Sequence, residues 1–189
     1  MPLTETPFWY LRHGETDWNA RGLSQGNVDI PLNPVGVAQA ERAARALAGK
    51  QIATIVSSPL SRARDTAEAA AAVLGQPVQI HEDLREVSFG VQEGQEMSGW
   101  FDDWVEGRFT PEGGESFAAL RERTVRAINE CLAQPGPVLI VAHGAVWRAF
   151  RAEAGLPANV RTPNALPMWV TPPAPGEQAW RFDALALPD

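Results

Sequence analysis

The stretch Phe8-Trp9-Tyr10-Leu11-Arg12-His13-Gly14-Glu15-Thr16 is the key to this chain. Four consecutive apolar residues after a short polar leader predict a buried strand, and that strand stops at a cation, an imidazole and a glycine. In open α/β sheets, ligands bind beyond the carboxyl ends of the strands. Arg12 and His13 therefore stand where chemistry is expected: a cation that can hold an anion, beside a nitrogen that can attack it.

Outward from this stretch, strands and helices alternate. A polar, Gly-containing loop covers 17–32, and Asn33-Pro34 then opens a helix, Asn as the cap and Pro at the first helical position. This helix runs to about Ala48 and stops at Gly49. Thr54-Ile55-Val56-Ser57 predicts a strand, followed by a helix with Ser58 as cap and Pro59 in first position, ending near Leu74-Gly75. Val78-Gln79-Ile80 is a brief strand. Residues 84–114 read as irregular, with one helix between Gln95 and Glu106. From Ser116 to Leu132 a helix puts Phe117, Leu120, Thr124, Ile128 and Cys131 on one face. Val138-Leu139-Ile140-Val141-Ala142 is the clearest buried strand. It ends in His143-Gly144, and a helix follows to Ala154. Met168 to Leu185 reads as an antiparallel hairpin around 172–176. The expected fold is α/β: a three-layer α/β/α sandwich with a mostly parallel central sheet, one domain over residues 1–189.

The bulk numbers narrow the function. A net charge of −7 over 189 residues argues against a nucleic-acid surface. It also means that an anionic substrate must be recruited by a local arginine cluster against the global field. The lone Cys131 can form no internal disulfide and reads as a buried small apolar residue. The segment Met1-Pro2-Leu3-Thr4-Glu5-Thr6 has neither a basic region nor a long apolar core, so no signal peptide is expected. No stretch approaches the ~18 uncharged residues of a membrane helix. These features predict a soluble cytoplasmic protein with no membrane partner; between monomer and homodimer the sequence does not choose.

Three strands end in polar groups. The first presents Arg12 and His13, the second leads through Ser58 to Arg62 in the opening turn of a helix, and the fourth presents His143, again just before a helix. Helix N-termini favour anions through free amides and the dipole, and the arginine fork suits phosphate oxygens. Two arginines and two imidazoles gathered at helix starts describe a phosphate pocket. Asp83-Leu84-Arg85-Glu86 leads into a loop whose carboxyl could protonate a leaving oxygen, an effect of roughly 10²–10⁴-fold in rate. Glu82, Asp83 and Glu93 compete with Glu86 for that part. Two histidines with carboxylates could also suggest zinc, but the neighbouring arginines oppose a cation, and neither metal nor cofactor is expected.

With these residues in place, the chain resembles the histidine phosphatase superfamily, the phosphoglycerate mutase-like proteins, over nearly its whole length. The carrying motifs are Arg12-His13-Gly14-Glu15-Thr16 with Trp18-Asn19, Gln25-Gly26 with Asp29 and Pro31-Leu32, and Ser57-Ser58-Pro59-Leu60 with Arg62-Ala63 and Thr66-Ala67. They continue with Leu84, Glu86, Phe89-Gly90 and Glu93-Gly94, then Gly114-Glu115-Ser116, then Val141-Ala142-His143-Gly144. The resemblance implies that His13 is the nucleophile and forms a phosphohistidine. It implies that Arg12, Arg62 and His143 hold the phosphate oxygens, with Asn19, Gln25, Gly26 and Gly144 also at the phosphate. Glu86 would protonate the leaving alkoxide and then deprotonate the hydrolytic water. For His13 to attack, its other nitrogen must donate to a fixed acceptor, which the sequence does not identify. Val91-Gln92 and Ser88 depart from the family's acid loop, which bears on substrate preference more than on chemistry.

The expected activity is that of a metal-independent phosphomonoesterase acting on a small phosphorylated metabolite. The alternatives are a cofactor-dependent phosphoglycerate mutase and a non-catalytic phospholigand-binding module. The mutases resemble this chain but carry a longer, basic segment after the acid loop. Here about twenty residues separate Glu93-Gly94 from Gly114-Glu115-Ser116, with Arg108 the sole cation between them. Arg62 could instead pair with Asp65 or Glu68 on its own helix. Trp100 and Trp104 fit either a core face or a substrate mouth, His81 reads as flanking a strand, and Glu115-Ser116 as a helix cap.

Overall fold

The structure, a computed structural model, describes residues 1–188. Six strands form one sheet: β1 (Phe8–Arg12), β2 (Thr54–Ser57), β3 (Val78–Ile80), β4 (Val138–Ala142), β5 (Met168–Thr171) and β6 (Arg181–Ala184), in the spatial order β3-β2-β4-β1-β5-β6. β1 to β4 are parallel, and β5 pairs antiparallel with both β1 and β6, so β5 alone is reversed. The expected hairpin is this β5–β6 pair.

The strands are apolar on both sides because both faces are covered. On one face, Phe8, Tyr10, Val138, Ile140 and Ala142 meet α5 (Phe117–Leu132) and α6 (Gly144–Glu153). On the other, Trp9, Leu11, Ile55, Leu139 and Val141 meet α2 (Pro34–Leu47) and α3 (Ser61–Leu74). The alternation along β1 and β4 follows from the period-2 geometry of a strand. The three-layer α/β/α sandwich expected from the sequence is therefore the observed fold. The inner faces of α2 and α3 are largely alanine, which lets the helices approach closely; Ala43, Ala63, Ala67 and Ala70 are fully buried.

Local signals explain most boundaries. Asn33 caps α2, its Oδ1 accepting from the Gly36 amide at 2.8 Å, and Ser116 caps α5 through the Ala119 amide at 3.1 Å. α3 ends at Gly75, which adopts φ 68°, a left-handed conformation glycine tolerates. The start of α3 differs from expectation. It begins at Ser61 rather than Pro59, with no side-chain cap from its own flank. Asp29, distant in sequence, takes that part by accepting from the Ser61 amide and hydroxyl, each at 2.8 Å. Between β3 and α5 lies α4 (Trp100–Val105), shorter than the expected 95–106 helix. A further short helix, α1 (Asp17–Ala20), follows β1.

Cys131 is 1% exposed and burial pushes its thiol up to about 12, as befits a core residue. Among the described residues, no helix is long and apolar enough to cross a membrane.

Candidate active site

The strand order places the first two site residues. β4 lies next to β1, so His13 and His143 emerge from neighbouring strand ends, and the His13 amide donates to the Ala142 carbonyl at 3.0 Å. The chain then turns at Gly14. A Cβ there would stand 2.4 Å from the Gly36 carbonyl oxygen, so only glycine lets α2 approach this turn. Thr66 ties the turn to α3: its hydroxyl accepts from the Gly14 amide at 3.0 Å and donates to the Arg62 carbonyl at 2.7 Å.

His13 lies 2.7 Å from Gly14 O through Nδ1. A carbonyl can only accept, so Nδ1 carries the hydrogen and Nε2 keeps its lone pair. Burial, and then the charges of Arg62 and Arg12, hold the imidazole well below the usual histidine range. Gly14 O is the acceptor that the sequence left unidentified.

The two imidazole centroids lie 5.2 Å apart. His143 Nε2 is 2.7 Å from Ser58 Oγ, which also accepts from the Leu60 amide at 3.3 Å. Among the described residues the Ser58 hydroxyl has no other acceptor, so its hydrogen is donated to Nε2 and the ring hydrogen resides on Nδ1. Nδ1 is buried without a partner. Burial, followed by Arg62 and His13, lowers the His143 pKa well below the ordinary value.

The arginines are gripped by backbone. Arg62 donates from Nη1 to Val28 O and from Nη2 to Gly26 O, each at 2.8 Å, and not to Asp65 or Glu68. Arg12 donates from Nη1 to Thr162 O, and burial brings its pKa down to about 10. Both Nε atoms are buried and have no partner among the described residues. Leaving such a buried donor unpaired costs about 1–3 kcal/mol. Arg12 Nε, Arg62 Nε and His143 Nδ1 therefore mark a place where an acceptor-rich ligand would recover the loss.

Among the competing acids, only Glu86 reaches this place. Glu82 pairs with Arg85 and Asp83 with Arg126, while Glu93 accepts from the amides of Asn27 and Phe89. Glu86 is 8% exposed. Its Oε2 accepts from the Ala145 amide at 3.0 Å and its Oε1 from the Val146 amide at 3.3 Å. The start of α6, expected to await a phosphate, is thus already occupied by a carboxylate.

A cavity of about 320 Å³ opens beside these groups. Arg12, His13, Asn19, Gln25, Gly26, Glu86 and Gly144 line it. Arg62 and His143 are fully buried and stand outside the lining. Asn19 is held by the Thr16 amide and by Asn164 Nδ2, both at 3.3 Å, and Gln25 Oε1 accepts from the Thr16 hydroxyl at 2.6 Å.

The sequence reading did not single out Arg148 or Arg161, which line the same cavity. Arg148 lies one helical turn beyond Gly144, a spacing that could have revealed it. The aromatic side chains in the wall are Phe89 and Phe101 rather than the two tryptophans. Trp104 is buried with its indole donating to Glu115 O at 2.9 Å, and Trp100 packs edge-on against Phe89. Glu115 itself forms an ion pair with Arg123 at 2.7 Å. His81 flanks β3 and meets Glu130 at 2.9 Å.

Known proteins share the sequence pattern and fold of this chain. The family model described as the histidine phosphatase superfamily (branch 1) matches residues 8–167. A glucosyl-3-phosphoglycerate phosphatase of Mycolicibacterium vanbaalenii is 37% identical over 170 residues, 79% of this chain and 74% of that protein. A probable phosphoglycerate mutase GpmB of Proteus mirabilis is 37% identical over 164 residues, 79% of this chain and 75% of the relative. The solved structure of a mycobacterial glucosyl-3-phosphoglycerate phosphatase complexed with VO3 superimposes with a TM-score of 0.81 at 32% identity, covering 94% of this chain and 97% of that one. The chain belongs to the histidine phosphatase superfamily, branch 1.

Proposed function

We propose that the enzyme hydrolyses a small phosphate monoester through a phosphohistidine on His13, within a single catalytic domain. The observation that carries this reading is the free Nε2 of His13 beside three buried, unpartnered donors, Arg12 Nε, Arg62 Nε and His143 Nδ1. A phosphoryl group between them would receive hydrogen bonds on its oxygens as charge spreads over them.

The reaction has two balanced steps. His13 Nε2 attacks phosphorus, the P–O bond to the alcohol breaks, and Glu86, entering this step protonated, gives its proton to the departing oxygen. Water then attacks the phosphohistidine, Glu86 takes back a proton, and the P–N bond breaks to release phosphate. The backbone anchors on Arg12, Arg62 and His13 hold this arrangement before substrate arrives, so little reorganisation is needed during reaction.

A second reading, phosphoryl return to the substrate as in a mutase, is favoured by the likeness to the GpmB protein. The short 94–114 segment, with Arg108 as its sole cation, favours hydrolysis. The test is release of free phosphate from p-nitrophenyl phosphate and a panel of phosphorylated metabolites, with trapping of acid-labile ³²P on the protein. His13→Ala should abolish both turnover and trapping. Turnover that survives this change would sink the covalent mechanism, and isomerisation of phosphoglycerates far faster than any hydrolysis would establish the mutase.

A further inference from the structure

We infer that Arg148 and Arg161 form a second anion subsite in the cavity, and that the preferred substrate is a phosphate ester bearing a further anionic group, a carboxylate or a second phosphate. This inference rests on the phosphomonoesterase reading for the position of the first phosphate.

Arg148 is held in place but not neutralised. Among the described residues its Nη1 reaches only the Gly144 carbonyl at 3.5 Å, and its buried Nε has no partner. The guanidinium lies over the Phe101 ring, 5.0 Å from the centroid, a contact that fixes its plane while leaving its edge free to bond an anion. Arg161 is exposed, comes from the segment between α6 and β5, and lines the same cavity. Neither forms an ion pair among the described residues, whereas Arg85, Arg121, Arg123 and Arg126 each face a carboxylate.

The cations also crowd one another. A Cβ built on Gly144 would lie 3.4 Å from Arg148 Nη1 and 3.5 Å from Arg12 Nε, so the two side chains converge on one glycine. Like charges so close are well within the ~10 Å over which salt screens. Among the described residues, the only carboxylate in the cavity wall is Glu86, already engaged by the α6 amides. In a chain of net charge −7, unpaired arginines at one cavity are a local exception that an anionic ligand would relieve. A phosphate held by Arg12 and Arg62 leaves Arg148 and Arg161 unmatched. Leu23, Met97 and Phe101 line the cavity as well, giving apolar wall for a short carbon stem joining the two anionic ends.

The test uses two matched pairs. 3-Phosphoglycerate and glycerol 3-phosphate differ by a carboxylate in place of a hydroxymethyl group; 1,3-propanediol bisphosphate and 3-hydroxypropyl phosphate differ by a second phosphate. Phosphate release is measured for the wild type, Arg148→Gln, Arg148→Lys and Arg161→Gln. Dissociation constants for the same esters are measured calorimetrically on the wild type and on proteins carrying His13→Ala, alone and with Arg161→Gln. The doubly anionic member of at least one pair should be preferred by about tenfold or more, as expected for hydrogen bonds to charged groups. That ratio should fall several-fold in Arg148→Gln and Arg161→Gln, and Arg148→Lys should retain part of it. The pair that shows the preference distinguishes carboxylate from phosphate. Arg161 is exposed, so its variant keeps the test decisive if Arg148→Gln fails to fold. Equal treatment of both pairs, or a preference untouched by Arg161→Gln, overturns the subsite. If no ester is hydrolysed, the phosphatase reading fails, and the dissociation constants still decide the subsite by the same ratio.

Discussion

His13 donates from Nδ1 to the carbonyl of the adjacent Gly14 at 2.7 Å, and this one bond determines which imidazole nitrogen is left to react. The turn that presents the carbonyl is held by Thr66 on one side and by the close approach of Gly36 on the other. The orientation of the His13 imidazole, the proposed nucleophile, thus depends on the backbone of β1 and on two helices.

The two imidazoles make stability fall on the acid side. Both have folded-state pKa values lowered well below the usual ~6.5, with burial as the leading cause. As pH falls through ~6.5 the unfolded chain binds protons that the folded protein resists, so stability present above that value is lost, by up to about 1.4 kcal/mol per pH unit for each histidine. Thermal melts from about pH 7.5 down to about pH 5.5 should show a falling Tm, with a shallower slope in His143→Asn. Parallel slopes in the two proteins would contradict this origin.

Ser58→Ala removes the partner of His143 Nε2. The freed imidazole can take either tautomer, and the hydrogen on Nδ1 is no longer assured. A loss of about tenfold in kcat/KM is expected, with stability down by only about 1 kcal/mol. Steady-state kinetics together with urea unfolding separates the two effects, and unchanged kinetics would show that Ser58 does not set the tautomer.

Glu86→Gln should depend on the leaving group. Glutamine cannot give a proton, so alkyl phosphates should slow by about 10²–10⁴-fold. The first step on p-nitrophenyl phosphate should suffer far less, because its phenolate leaves without protonation. A burst of p-nitrophenol followed by slow turnover is the expected trace, since dephosphorylation also needs the carboxylate. Equal slowing of the first step for both substrate types would move the acid role elsewhere.

Gly14→Ala should destabilise the fold by about 3 kcal/mol. The added Cβ would stand 2.4 Å from Gly36 O, a backbone atom that cannot swing aside. His13 should shift with it, so residual folded protein should turn over poorly. A melting temperature within a degree or two of the wild type would refute the contact.

Much of this molecule was legible because its signals are local. Alternating apolar strands and amphipathic helices follow from periodicity, and Asn33, Ser116 and Gly75 work within one turn of themselves. The pocket residues Arg12, His13, Asn19, Gln25, Gly26, Glu86 and Gly144 follow a chemical logic carried by short motifs. Where the expectation missed, the partner came from far away. Asp29, rather than Ser58, caps α3 because the 17–32 loop folds across its start. Glu86 covers the α6 amides because the loop after β3 crosses to β4.

Element types, the layered class and the residue types needed for phosphoryl transfer are written in the linear chain, since these depend on neighbours a few residues apart. The folded arrangement settles the rest: which donors stay free, which nitrogen of His13 can attack, and that Arg148 and Arg161 share the cavity with Arg12. The meeting of His13 with His143 and of Arg12 with Arg148 depends on β4 entering the sheet between β1 and β2. That placement brings groups more than a hundred residues apart within a few ångströms, a relation that no local pattern encodes.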